Sequence, residues 1–275
     1  MIAFDPGWLA GFALVLLGTG LIAGVVAGLL GVGGGIVIVP VLFHLLGLAG
    51  VDPAVKMHLA VGTSLATIIP TAITSMRAHA RRGAVDHDLL RLWAPAVLVG
   101  VVAGTALAGF WAKGAVLTAV FATVALLVAA NMAIRPEPRP VVGGLPGRWA
   151  QWTLAAVIGG FSAMMGIGGG TLGVPILSAF AYPIRRAVGT ASAIGLIVSV
   201  PGTIGFVVAG LGREGLPFGS LGYVNLVGVA LIVPASMLTA PLGAKLAHAL
   251  PVAWLRRAFA LFLLLTASRM FYGLL

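Results

Sequence analysis

The stretch "GLLGVGGGIVIVP", residues 28–40, places Gly31, Gly33, Gly34 and Gly35 inside an apolar run. Glycine within a helix costs roughly 0.5–1 kcal/mol relative to alanine, so four of them there need a reason. The run around them is long, with no Asp, Glu, Lys or Arg between Asp5 and Asp52. Comparable uncharged stretches lie between Arg148 and Arg185, between Arg186 and Arg213, and between Glu214 and Lys245. Each exceeds the roughly 20 residues that a helix needs to cross a bilayer core. With 60% hydrophobic and 8% charged residues among 275, the chain has the make-up of a membrane protein.

The net charge of +10 resides in short connectors rather than on one soluble face, which argues against nucleic acid as a partner and for a positive-inside orientation. The absence of cysteine excludes disulfides, cysteine-ligated metal centres and thiol catalysis. The first basic residue is Lys56, so the N-terminus lacks the basic flank of a secretory signal and its apolar segment is expected to be mature structure.

The polar linker "RPEPRPVVGGLPGR", residues 135–148, divides the chain near its middle. Across it, "GVGGGIVIVP" (31–40) recurs as "GIGGGTLGVP" (166–175), and "AVGTS" (60–64) recurs as "AVGTAS" (187–192). Pro95 with Gly104 matches Pro234 with Gly243 at one common offset. The order of features is the same in both halves, which predicts an internal duplication: a first transmembrane repeat over 1–134, a cytoplasmic linker over 135–148 and a second repeat over 149–275.

Orientation follows from the connectors. If each glycine-broken segment were one crossing, the two faces would hold 9 and 7 basic residues, nearly no bias. If each glycine stretch is the tip of a returning hairpin, one face gathers Arg77, Arg81, Arg82, Arg91, Arg135, Arg139, Arg148, Arg185, Arg186, Lys245, Arg256 and Arg257. The other keeps Lys56, Lys113, Arg213 and Arg269. The second arrangement satisfies the positive-inside rule. It predicts an all-α polytopic membrane protein of two inverted repeats, each a glycine-broken helical hairpin plus three transmembrane helices, with both termini non-cytoplasmic.

The expected spans are a hairpin of 9–30 and 36–48 with helices near 57–76, 89–111 and 115–134, then a hairpin of 149–165 and 171–183 with helices near 187–210, 220–244 and 252–273. The return limbs of about 13 residues reach roughly 20 Å, short of the roughly 30 Å core, which suits re-entrant limbs.

Glycines 33–35 and 168–170 let the backbone turn and leave the first amides of each following limb, from 36 and from 171, without intrahelical partners. In lipid such groups must meet protein, water or ligand, and amides at a helix N-terminus favour an anion. Tight helix packing through small residues is the alternative use of the same glycines. A nucleotide-phosphate loop does not fit, since no Lys-Ser/Thr follows.

Thr63, Ser64 and Thr67 in the first half, and Thr190, Ser192 and Ser199 in the second, lie on the helix that follows each hairpin. Their hydroxyls could donate to an anionic oxygen without burying a charge, or bond their own helix carbonyls one turn back. Pro70 and Pro201 are expected to kink these helices, and Pro40 and Pro175 the return limbs, as structural or gating positions. No charged residue falls within a span, so the intramembrane carboxylate of many proton-coupled carriers is missing. His44 and His58 read as satisfied or interfacial, and in "VDHD", residues 85–88, Asp86 or Asp88 reads as a helix cap rather than a metal ligand.

On these residues the chain resembles the TauE/SafE family of sulfite exporters. The carriers are "GLLGVGGGIVIVPVL" (28–42), "AVGTSLATI" (60–68), "RRGAVD" (81–86), "GIGGGTLGVPIL" (166–177) and "AVGTASAIG" (187–195). The resemblance implies a bacterial-type inner-membrane carrier of sulfite or a small organosulfur anion such as a sulfonate. It assigns Gly33, Gly34, Gly35, Thr63, Ser64, Gly168, Gly169, Gly170 and Thr190 to the permeation site, to which the hydroxyl pattern adds Ser192. The expectation is an alternating-access exporter without cofactor, metal or catalytic residues, with membrane lipid and a small inorganic or organic sulfur-containing anion as partners. A carrier of another organic anion, an importer and a non-transporting structural subunit remain open alternatives.

Overall fold

The computed structural model describes residues 6–31, 33–134, 143–246 and 252–273. Most of the expected linker, with Arg135 and Arg139, lies outside them. Ten α-helices run through the described residues: α1 (Pro6–Leu30), α2 (Gly35–Leu48), α3 (Pro53–Ala80), α4 (His87–Ala106), α5 (Gly114–Ile134), α6 (Arg148–Met165), α7 (Gly170–Ala179), α8 (Ile184–Gly210), α9 (Leu226–Leu246) and α10 (Val252–Tyr272). Six stretches among them, in α1, α3, α4 with its last turn, α5, α8 and α9, are long and apolar enough to cross a membrane. The all-helical membrane fold read from the sequence is therefore present.

The helix boundaries have local causes. Pro53 opens α3 where a missing N–H costs nothing, and the Asp52 side chain accepts from the Ala54 amide at 2.8 Å. Asp86 caps α4 by accepting from the amides of Asp88 and Leu89 at 3.1 and 3.0 Å. α3 runs about four residues beyond its expected span at each end, and two other expected boundaries draw inward. α9 starts at Leu226 rather than near 220, because residues 220–225 form a short antiparallel hairpin, β1 (Ser220–Leu221) with β2 (Val224–Asn225). Gly219 and Gly222 hold it at φ of 76° and 54°, which no right-handed helix admits. α7 ends at Ala179 rather than at 183, since Ala181 takes φ 58° and Pro183 disfavours helical geometry in the residue before it.

α2 and α7 are the return limbs. Their 14 and 10 residues reach about 21 and 15 Å, short of a roughly 30 Å core. α1 packs on α9 and α6 on α4, α3 lies against α8, α5 against α10, α2 against α3 and α7 against α8. Exchanging the two halves of the chain leaves this set of partners unchanged. Helices of one half pack on helices of the other, so the halves interlock. The contacts are close: a Cβ on Gly28 of α1 would collide with the Ala240 carbonyl, and one on Gly100 of α4 with that of Ala156. Such approach is how bilayer helices gain packing when water offers no driving force. α3 and α8 run antiparallel, because Arg186 at the start of α8 pairs at 2.9 Å with Asp86, just past the end of α3.

α4 finishes in a π-helical turn, Leu107–Trp111, whose wider ladder redirects carbonyls. Buried His58 on α3 answers it: its Nε2 lies 3.1 Å from the carbonyl oxygens of both Ala108 and Ala112 and so carries the proton, while its ring stacks on Tyr223. The histidine that the sequence reads as satisfied is so at Nε2, while its Nδ1 has no hydrogen-bond partner among the described residues.

Candidate functional site at the glycine junction

The two glycine tips meet. Gly33 lies so near the second tip that a Cβ on it would sit 3.4 Å from Gly168 Cα, and a Cβ on Gly35 would collide with the Gly166 carbonyl. Each tip also leans on the first helix after the other half's hairpin. A Cβ on Gly166 would lie 2.8 Å from Val61 Cα of α3, and one on Gly31 would strike the Val188 carbonyl of α8. Only glycine permits this arrangement, and at the first tip the backbone demands it too: Gly31, Gly33 and Gly34 take φ of 67°, 73° and 78°. The second tip turns differently, with Gly166 at φ 66° as the C-cap of α6 and Gly169 in right-handed geometry as the N-cap of α7.

The amides expected to be free are fewer than the sequence implies. Val37 and Ile38 both donate to the Gly34 carbonyl, at 3.0 and 3.2 Å, and Thr171 and Gly173 donate to Gly168 and Gly169 at 3.3 and 2.8 Å. Among the described residues, the first-turn amides left over are those of Gly35 and Ile36 in α2 and of Gly170 and Leu172 in α7, which their own helices cannot serve. All of Gly33–Gly35 and Gly168–Gly170 are buried.

Of the expected hydroxyls, the structure brings Ser64 to the junction, where its Oγ donates to the Gly166 carbonyl at 2.7 Å. Ser192 lies beside the first tip, 3.2 Å from a Cβ built on Gly31, with its Oγ paired to Ser75 at 3.2 Å. Thr67 and Ser199 bond carbonyls of their own helices. Thr63 and Thr190 turn elsewhere, and in the same way. Thr63 Oγ1 accepts from the Asn225 amide at 2.8 Å, and Thr190 Oγ1 from the Asp86 amide at 2.9 Å. Asn225 and Asp86 each cap the helix that follows, α9 and α4. The glycine before each threonine admits the same connector: a Cβ on Gly62 would collide with the Tyr223 carbonyl, and one on Gly189 with that of Ala84. The duplicated "AVGT" thus latches a connector onto a helix in both halves. Pro40, Pro70, Pro175 and Pro201 all stand inside helices, in α2, α3, α7 and α8.

Four buried hydroxyls that lie outside the sequence reading have no hydrogen-bond partner among the described residues, those of Thr105, Ser162, Thr171 and Ser178. Thr171 follows the second glycine triplet and is buried, as is Ser162 on α6. Such atoms are rare in native interiors and mark places where something else bonds. The signal was present in the repeat itself, because the first copy has Ile36 where the second has Thr171. No group of three or more potential metal ligands occurs among the described residues.

Residues 16–270 match the family described as Sulfite exporter TauE/SafE. A protein of Haemophilus influenzae named "Probable membrane transporter protein" is 35% identical over 265 residues, covering 94% of this chain and 98% of its own. Similar proteins named probable membrane transporters occur in Methanocaldococcus jannaschii, 28% identical over 84% of this chain and 85% of its own, and in Bacillus subtilis, where YunE is 27% identical over 85% of this chain and 88% of its own. No solved structure matches.

Proposed function

Because the chain belongs to the TauE/SafE family of membrane transporters, we propose that it carries sulfite or a small organosulfur anion across a bacterial-type inner membrane by alternating access, with the anion held where the two glycine tips meet. The observation that carries this reading is the buried Thr171 hydroxyl, without a partner among the described residues, in the first turn of α7. Hydroxyl and amide donors suit an oxyanion that must be released again. Gly33, Gly34, Gly35, Gly168, Gly169 and Gly170 form the cradle, Ser64 and Ser192 line it, and Thr63 and Thr190 hold its walls by fixing the connectors. Pro40, Pro70, Pro175 and Pro201 are the hinge positions. The antiparallel course of α3 and α8 supports inverted repeats over 1–134 and 149–275, with the linker cytoplasmic and both termini outside. An inside-negative potential favours exit of an anion by about 2.3 kcal/mol per charge per 100 mV, so export needs no intramembrane carboxylate.

The test is sulfite and sulfonate flux in proteoliposomes. Thr171→Val keeps shape and removes the donor, so flux is expected to fall at least about tenfold, a loss of one charge-assisted hydrogen bond, with the melting temperature unchanged. Wild-type flux retained by folded Thr171→Val refutes the site. No flux of either anion through wild-type protein refutes the cargo.

A further inference from the structure

The first helix after each hairpin, α3 and α8, departs from the repeat along one face. On α3, Ser64, Thr67, Thr71, Ser75 and His79 recur every three or four residues and are all buried, between 0 and 2% exposed. They form one stripe along about 22 Å of helix. It starts at the glycine junction, where Ser64 holds Gly166, and ends beside Arg82, whose guanidinium donates to the Ala244 carbonyl at 2.9 Å. Two facing helices complete it: Ser236 of α9 pairs with Thr71 at 2.8 Å, and Ser192 of α8 pairs with Ser75 at 3.2 Å.

The offset that lays "AVGT" of α3 on "AVGT" of α8 lays Thr67, Thr71, Ser75 and His79 on Ile194, Val198, Gly202 and Phe206. The same offset turns Ser192 into Leu65, and the Pro95–Pro234 match turns Ser236 into Val97. The counterpart of the Ser75–Ser192 contact exists there and is apolar. A Cβ on Gly202 would lie 3.1 Å from Leu65 Cδ1, and Val97, Ile194, Val198 and Phe206 are fully buried. The fold packs equally well at these positions with no hydroxyl, so packing does not account for the α3 row.

We propose that the α3 row is the wet access path along which a small hydrated oxyanion moves between the glycine junction and the arginine-bearing face, and that Ile194, Val198 and Phe206 form the dry barrier on the opposite side. The proposal deepens the transport reading and rests on it. Thr71–Ser236 and Ser75–Ser192 are the closed form of the path: each hydroxyl exchanges its partner for water or an anion oxygen with little net change. The apolar row can be opened only by wetting hydrocarbon, which water resists.

The chain has no cysteine, so single cysteines report their own accessibility. In the full-length reconstituted protein, Ser75→Cys is expected to react with the anionic reagent sulfonatoethyl methanethiosulfonate at least tenfold faster than Val198→Cys. Equal rates, or a faster Val198→Cys, overturn the path whatever the cargo proves to be. Thr71→Val with Ser236→Val, which rebuilds the apolar counterpart pair, is expected to lower sulfite flux at least tenfold without lowering the melting temperature. Flux within twofold of wild type in that folded variant also overturns it. Absence of flux in the wild type refutes the cargo alone, since the labelling contrast needs none.

Discussion

Replacing Thr63 by valine separates a latch from a ligand. The change keeps the side chain's shape and deletes the Oγ1 that accepts from the Asn225 amide at 2.8 Å. Thr63 is fully buried and Asn225 partly so, which leaves an N–H without a partner in a place that water reaches poorly. Stranding such a donor costs about 1–2 kcal/mol at the lower end of the buried range. That cost shifts the unfolding equilibrium roughly 5- to 30-fold and lowers the melting temperature by about 2–8 °C at about 2–4 °C per kcal/mol. The assay is a thermal melt of detergent-solubilised protein alongside hydrogen exchange at the β1–β2 hairpin. The Asn225 amide is expected to lose protection, while Thr63→Ser, which retains the oxygen, restores it. If Thr63→Val melts with wild type and Asn225 stays protected while the KM for sulfite rises, the latch is refuted and Thr63 belongs with the cargo.

The mirrored latch carries a charge and therefore a pH dependence. Burial alone would raise the Asp86 carboxyl. The Tyr182 hydroxyl, the Leu89 amide, the Arg186 guanidinium and the Asp88 amide outweigh it and hold the group below the ordinary aspartate value, about 3.9. A carboxyl lowered in the folded state contributes stability that is complete above the unfolded value and is lost as pH falls through the folded one. Melting followed from pH 7 to pH 3 should therefore drop in wild type below about pH 4, while Asp86→Asn, which keeps the cap, starts lower and stays flatter; parallel curves would sink the assignment. Ala181 is the non-glycine residue at positive φ among those described. Relieving its Cβ against the extra backbone freedom of glycine should make Ala181→Gly more stable by about 0.5–1 kcal/mol, and a lower melting temperature would contradict that.

The sequence carried the helices because its signals are strong and local. Uncharged runs mark the spans, and the glycine triplets stand at both tips. Asp86 caps α4 where the "VDHD" pattern places a cap. What stayed hidden depends on where chain segments cross. The sequence places Thr63 and Thr190 on helices after the hairpins, but only the fold shows Asn225 and Asp86 arriving 162 and 104 residues away in sequence to bond them. The amides of 37, 38 and 171 look free by position and are taken up by tip carbonyls, because the carbonyls just before a helix accept its first intrahelical bonds.

A duplicated chain is its own control. Where the copies agree, as in "AVGT" and the glycine triplets, both latch or both turn, and the shared residues answer to architecture. Where they disagree at equivalent buried positions, architecture is satisfied by either residue, and the choice reflects something that differs between the two sides of the junction. Thr171 against Ile36 is one such place, and the α3 hydroxyl row against Ile194, Val198 and Phe206 is another. Burying a hydroxyl offers no stability over a well-packed methyl group and risks an unsatisfied atom. On the proposed alternating-access reading the chain meets different solutions and potentials at the two membrane faces, which gives its halves reason to differ in wetting while keeping one fold. On that reading those disagreements, rather than the repeated motifs, are the positions to mutate when testing cargo and direction of travel.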